Sequence, residues 1–137
     1  MLLLDTSGLL AAIDSSQRHH RECMAALIGA KGPLLLSPFV LAELDYLLAR
    51  NIGHAAQQAL LGEVVRGAYR IEPFDTDDVA AAAEILERFP HIGLADASIV
   101  ILAERHEVRD ILTLDERHFR SLRTRDRKRF RILPADR

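Results

Sequence analysis

Residues Gly93–Phe119 read GLADASIVILAERHEVRDILTLDERHF. The first half has the pattern of a helix: Leu94, Ile99, Val100, Leu102 and Ala103 make it apolar on most faces. Asp96 stands one helical step from Ile99 and Val100, which turns its carboxylate inward rather than toward water. An inward acid needs a partner, because an unpaired buried charge is costly. The link Glu107–Arg109 is short, so the apolar strand Asp110–Leu114 has to run back along the helix that precedes it. The far end of that strand then lies beside the helix start, and Asp115 and Asp96 are expected to be neighbours.

The remaining apolar runs extend this unit into a sheet. Met1–Leu4 is too short for a helix and, as a strand, is buried on both sides. It ends at Asp5-Thr6-Ser7-Gly8, and Leu9–Ile13 begin a short helix. Gln17–Ala30 reads as an amphipathic helix with Cys23, Met24, Leu27 and Ile28 as its buried stripe, stopped by Gly32-Pro33. Leu34–Leu36 is a second strand, after which Ser37-Pro38 opens a helix with a cap residue followed by proline, running to about Asn51. His54–Arg66 forms a further helix, Tyr69–Glu72 a brief strand and Val79–Arg88 an alanine-rich helix. Arg117–Leu122 reads as a short helix and Arg129–Leu133 as a final strand. Strands alternating with helices imply an α/β fold: a three-layer α/β/α sandwich with a mostly parallel central sheet. The 137 residues suit one domain spanning 1–137.

Composition narrows the function classes. With 49% hydrophobic and 28% charged residues the chain is globular rather than disordered. No cationic stretch precedes the apolar opening, and Asp5 interrupts it after four residues, so neither a signal peptide nor a membrane span is expected and the default location is the cytoplasm. Cys23 is the only cysteine, which excludes an internal disulfide framework. His19 and Cys23 lie four apart on one helix face, but no third or fourth ligand stands at usable spacing for a metal. Residues 1–115 hold 9 Lys+Arg against 17 Asp+Glu, whereas residues 116–137 hold 9 against 3. An acidic body with a basic tail describes either a cation-collecting site beside a phosphate-collecting surface or a solvated terminal face.

In a parallel sheet, each strand end and the start of the helix that follows lie at one edge, where ligands and reacting groups gather. Asp5, Glu43, Asp96 and Asp115 all fall at that edge. Glu43 shares a helix face with Val40, Leu44 and Leu47, so the stripe that should bury carries a carboxylate. Asp5 alone reads equally well as a helix cap, and Asp75, Asp77 and Asp78 read as the cap of the helix they precede. Four carboxylates packed together repel one another unless cations neutralise them, and oxygen ligands of this kind select Mg²⁺ or Mn²⁺. Such ions lower the pKa of a bound water and stabilise charge on a phosphodiester, so the reaction class is phosphodiester hydrolysis.

The stretches LLLDTSGLLA, SPFVLAEL, GLADASIVILA and ILTLDERHF, in that order, resemble the acidic motifs of the PIN-domain nucleases. Length and near-complete coverage are similar to the VapC-type toxins of bacterial and archaeal toxin–antitoxin pairs. The resemblance implies a PIN fold and a Mg²⁺-dependent endoribonuclease acting on RNA and held in check by a cognate, VapB-like antitoxin. It also implies a homodimer. Residue by residue it carries metal-site roles onto Asp5, Glu43, Asp96 and Asp115, with Asp5 and Asp96 as direct ligands and Thr6, Ser7 and Thr113 as supporting hydroxyls.

Two other classes compete. An aspartyl-phosphate phosphotransferase would also place an acid after its first buried strand, but it wants a second acid where Ser7 stands and a lysine at another strand end. The only lysines are Lys31 and Lys128. A catalytically silent binding module of the same fold would use its acids as caps, at the expense of burying Glu43 and Asp96 without a counter-charge. Phosphate-loop and dinucleotide fingerprints are absent. In the tail, Arg117, Arg120, Arg123, Arg125, Arg127, Lys128 and Arg129 are candidate phosphate contacts that position RNA without reading its sequence.

Overall fold

The computed structural model describes all residues, Met1–Arg137. Five strands form one sheet: β1 (Leu2–Leu4), β2 (Leu34–Leu36), β3 (Arg70–Ile71), β4 (Asp110–Leu112) and β5 (Arg131–Leu133). Their spatial order is β3-β2-β1-β4-β5, and every pairing is parallel, so the expected mostly parallel sheet is parallel throughout. Leu3 pairs with Leu35 on one side and with Ile111 on the other, which puts the opening strand at the centre.

Seven helices connect the strands: α1 (Thr6–Ile13), α2 (His20–Gly29), α3 (Pro38–Asn51), α4 (His54–Val65), α5 (Thr76–Arg88), α6 (Leu94–His106) and α7 (Glu116–Ser121). Side chains alternate across a strand, yet Leu2, Leu3 and Leu4 are all buried, as are both Leu35 and Leu36 and both Ile111 and Leu112. Both faces are therefore covered, and the layers are helix, sheet, helix. None of the helices is long and apolar enough to cross a membrane.

Helix α6 is apolar nearly all round, with every residue from Ala97 to Ala103 buried, because it packs on α5, α3 and β1 together. Glu107 ends it in the left-handed conformation, φ 54°, turning the chain directly back into β4 as the short link requires. Helix α2 departs from its sequence pattern: Cys23 and Ala26 are its buried residues, and Ile28 is 76% exposed. The helix starts at His20, after the turn at Gln17, and packs on α1.

The strand order fixes where a site can form. The chain winds from β1 outward through β2 to β3, then returns to lay β4 on the other side of β1. The direction of winding reverses between β1 and β4, and a crevice opens beyond the carboxyl ends of two such strands. Asp5 follows β1 and Thr113–Asp115 follow β4, so both flank that crevice.

Candidate active site

Asp5 occupies the N-cap position of α1, but its side chain makes no capping hydrogen bond. It points into the protein instead, 4% exposed, where the hydroxyls of Ser7 and Thr113 both donate to Oδ2, at 3.1 and 2.6 Å. Each hydroxyl has one proton, so both protons are spent on Asp5 and the 3.2 Å approach of the two oxygens to each other is a contact without a donor. The same oxygens accept from the next strand end, Ser7 from the Leu114 amide at 3.0 Å and Thr113 from the Asp115 amide at 2.9 Å. The turn after β1 is thereby laced to the turn after β4, and the Asp5 amide closes the seam on Leu112 O at 3.0 Å.

Gly8 makes this approach possible. A Cβ there would lie 2.4 Å from the Leu112 carbonyl oxygen and 2.8 Å from the Thr113 nitrogen, both backbone atoms that cannot step aside. The glycine of Asp5-Thr6-Ser7-Gly8 is therefore a packing requirement of the site.

Asp96 lies in the first turn of α6 with 14% of its side chain exposed. That turn is fixed from β2: Ser98 donates to Ala95 O at 2.6 Å, and the buried Ser37 hydroxyl donates to Ser98 Oγ at 2.6 Å. Burial raises the pKa of Asp96, opposed chiefly by His118. Burial likewise pushes Asp5 up to about 6, the Thr113 hydrogen bond opposing and the charge of Asp96 adding to the rise. The two carboxylates thus share one field.

His118 joins Asp96 to Asp115. Its Nδ1 donates to Asp96 Oδ2 at 3.0 Å and lies 2.9 Å from Asp115 Oδ2. Asp115 also caps α7, accepting the His118 amide at 3.4 Å, so Asp115 is both cap and member of the acidic group. His118 is not among the residues expected at the site, and its position three after Asp115 on a short helix is the one signal for it in the sequence.

Glu43 is placed differently from its sequence pattern. It is exposed on α3, where Val40, Leu44 and Leu48 form the buried stripe, and it makes no hydrogen bond or ion pair. The apolar face lies one step around the helix from the expected one, because α3 packs against α1, α4 and α6 through the 40, 44, 48 repeat. Asp5, Asp96 and Asp115 are brought together; Glu43 stands apart in contact. By contrast Asp75 and Asp78 form the expected capping box of α5, with both bonds at 3.0 Å.

The donor set fits a hard divalent cation. Both hydroxyl bonds to Asp5 fall on Oδ2, which leaves Oδ1 without a side-chain donor, and the neighbouring Thr6 Oγ1 is the one buried side-chain oxygen with no partner. No three His, Cys, Asp or Glu side chains close on a single point, since the His118 imidazole stands between Asp96 and Asp115.

The tail is partly neutralised. Arg120 is bound by Asp136 and Glu116, Lys128 by Asp126, and Arg123 by the Arg120 and Leu122 carbonyls. The guanidinium groups of Arg117, Arg125, Arg127 and Arg129 have no carboxylate partner and remain exposed.

The PIN-domain family model matches residues 2–124 of the chain. The chain belongs to the PIN-domain family. It stands among the VapC-type members: it is 38% identical over 135 residues to Ribonuclease VapC26 of Mycobacterium tuberculosis (strain ATCC 25618 / H37Rv), covering 97% of this chain and 100% of that protein. Among solved structures, Mycobacterium tuberculosis VapC20, a sarcin-ricin loop cleaving toxin, superposes with a TM-score of 0.78 at 22% identity, over 84% of this chain and 90% of that one. VapBC2 from Rickettsia felis, bound to a DNA fragment from their promoter, gives a TM-score of 0.55 at 22% identity over 77% and 81% of the two chains. At these identities the two structures speak for the fold.

Proposed function

We propose that this chain, as one nuclease domain over residues 1–137, is a divalent-metal-dependent endoribonuclease and the toxin of a VapC-type toxin–antitoxin pair. The observation that carries the reading is that Asp5, nearly inaccessible and not capping its helix, shares its field with Asp96 at the strand-order reversal. Whole-length similarity to a ribonuclease supports the same conclusion.

Asp5 and Asp96 would hold Mg²⁺, or Mn²⁺, with Asp115 and the exposed Glu43 completing or orienting the set. When bound, such an ion lowers the pKa of water and stabilises charge on a phosphodiester and its leaving oxygen. The chain's own residues supply the orientation. Ser7 and Thr113 lock the Asp5 carboxylate by Oδ2 and leave Oδ1 without a side-chain donor. His118 bridges Asp96 and Asp115 through Nδ1, at 3.0 and 2.9 Å. Unpaired Arg117, Arg125, Arg127 and Arg129 offer contacts to RNA phosphates. A VapB-like antitoxin, homodimerisation and a cytoplasmic location belong to the same reading; exposed Tyr46, Ile52 and Val65 are apolar surface of the sort protein partners cover.

The competing classes have less support. Lys31 lies at the sheet edge where β2 begins, its carbonyl accepting from the Met1 amino group at 2.8 Å, and Lys128 is paired with Asp126, so neither serves a phosphoaspartate at Asp5. A silent module would use the Asp5 carboxylate to cap α1, and that carboxylate makes no capping hydrogen bond.

The test is incubation of the purified protein with total RNA, in Mg²⁺ and in chelator, with the new ends mapped. Cleavage at defined positions in Mg²⁺, abolished by chelator and by Asp96→Asn, is expected. RNA left intact in both Mg²⁺ and Mn²⁺ would overturn the reading.

A further inference from the structure

A row of rings leads away from the carboxylates. His118, hydrogen-bonded to Asp96, meets His91 at a centroid distance of 5.6 Å and an interplanar angle of 65°. His91 in turn meets Phe89 at 6.3 Å and 78°, and the Arg88 guanidinium lies 5.8 Å from the Phe89 ring centre. Phe89 and His118 are half-buried, whereas His91, between them, is exposed. Ser121 Oγ lies 3.3 Å from His91 Nε2, which steadies the ring against α7.

The chain has only five Phe, two Tyr and no Trp, so three adjacent rings ending at the acidic group are a concentration of aromatic surface. Their location is equally specific. Phe89 and His91 belong to the segment entering α6 one turn before Asp96, and His118 belongs to the first turn after Asp115. Arg88, against Phe89 at one end of the row, and Arg117, next to His118 in sequence, are exposed and have no carboxylate partner.

We propose that His91, backed by Phe89 and His118, is the stacking platform for a base of single-stranded RNA beside the phosphate to be cut, with Arg88 and Arg117 contacting the adjoining phosphates. This rests on the ribonuclease reading and adds the subsite that presents the substrate. Aromatic rings accept any base by its π face, and arginine beside a ring serves the backbone, so the platform positions the strand at the carboxylates without selecting sequence. The acids themselves repel phosphate; the rings give the strand a surface without carboxylates on which to approach them.

The experiment measures binding of a short single-stranded RNA of mixed sequence carrying 2-aminopurine, in Ca²⁺ to fill oxygen-ligand sites, for wild type, His91→Ala and His91→Phe. Cleavage of total RNA in Mg²⁺ and melting are recorded alongside. His91→Ala is expected to bind roughly ten- to a hundredfold more weakly and to lose the fluorescence quenching of a stacked base, with melting unchanged. His91→Phe should restore both. Replacing the nucleotides flanking the mapped cut by abasic residues should weaken wild-type binding by a similar factor and His91→Ala binding no further. Should wild type cleave RNA while His91→Ala binds and quenches equally, the platform alone is refuted. Rescue by His91→Lys but not by His91→Phe would refute it too, replacing stacking by a charge contact. Wild-type protein that neither binds nor cleaves RNA overturns both readings.

Discussion

The Thr113 hydroxyl donates a 2.6 Å hydrogen bond to Asp5 Oδ2 across 108 positions of sequence, and it is the shortest tie between the ends of β1 and β4. It holds a carboxylate that burial would rather keep protonated, and with the Ser7 hydroxyl it places both side-chain donors on Oδ2.

Asp5 sets a pH dependence in the metal-free protein. Its folded-state pKa of about 6 lies above the ordinary 3.8, so the stability it allows is complete below 3.8 and is lost as pH rises through about 6. Ionising it at neutral pH costs roughly 3 kcal/mol. Asp5→Asn, melted in chelator at pH 7, should therefore be more stable than wild type by about that order, with a flatter profile between pH 4 and 6. The same variant should lose RNA cleavage and any melting shift produced by Mg²⁺. An Asn variant less stable than wild type in chelator at pH 7 would show that the charge is not a burden.

Glu43 separates metal binding from folding. It is exposed and unpaired, so Glu43→Gln should change metal-free stability by less than about 0.5 kcal/mol. If it completes the metal set, the Mg²⁺-dependent rise in melting temperature falls in this variant at constant ionic strength. A titration superimposable on that of wild type would remove Glu43 from the site.

Gly8 carries the seam between the two turns. Gly8→Ala would drive a methyl group to 2.4 Å from the Leu112 carbonyl, so α1 must lift from β4. A loss of about 1–3 kcal/mol in denaturant unfolding is expected, from overpacking against backbone that cannot yield. Unchanged stability would mean that α1 moves freely, and the Ser7–Leu114 hydrogen bond could not then be rigid.

Glu72 supplies an acid limb of the opposite sign. Burial pushes its carboxyl up, but the His106 hydrogen bond and charge, followed by Arg70, outweigh it and hold Glu72 below its ordinary 4.5. Its contribution is present above pH 4.5 and is lost as pH falls below that value. Glu72→Gln should cost about 1–3 kcal/mol near neutrality and make the acid limb of the stability profile shallower, measured by denaturant titration across pH. A variant with an unaltered acid limb would place the ion pairs of Glu72 among surface contacts of little weight.

Local sequence determined most of the architecture. Apolar triplets such as Leu2–Leu4 and Leu34–Leu36, separated by helix-length segments, have a single economical solution: strands buried on both faces of a parallel sheet. The tight link after α6 brought Asp96 and Asp115 to one place, because a three-residue connection leaves the next strand nowhere else to run. Asp75 read as a cap and is one, since capping is settled within four residues. What escaped the sequence depends on contacts between distant segments. Whether Asp5 caps α1 or turns inward was decided by Thr113, 108 residues away. Which side of α3 is buried was decided by the three helices that pack on it, and this left Glu43 in solvent. The place of His118 between two carboxylates follows from α7 folding over the start of α6. Periodicity reports only that a helix has an apolar side; the identity of the neighbours, and hence the final orientation of each polar group near the boundary, is a property of the assembled layers.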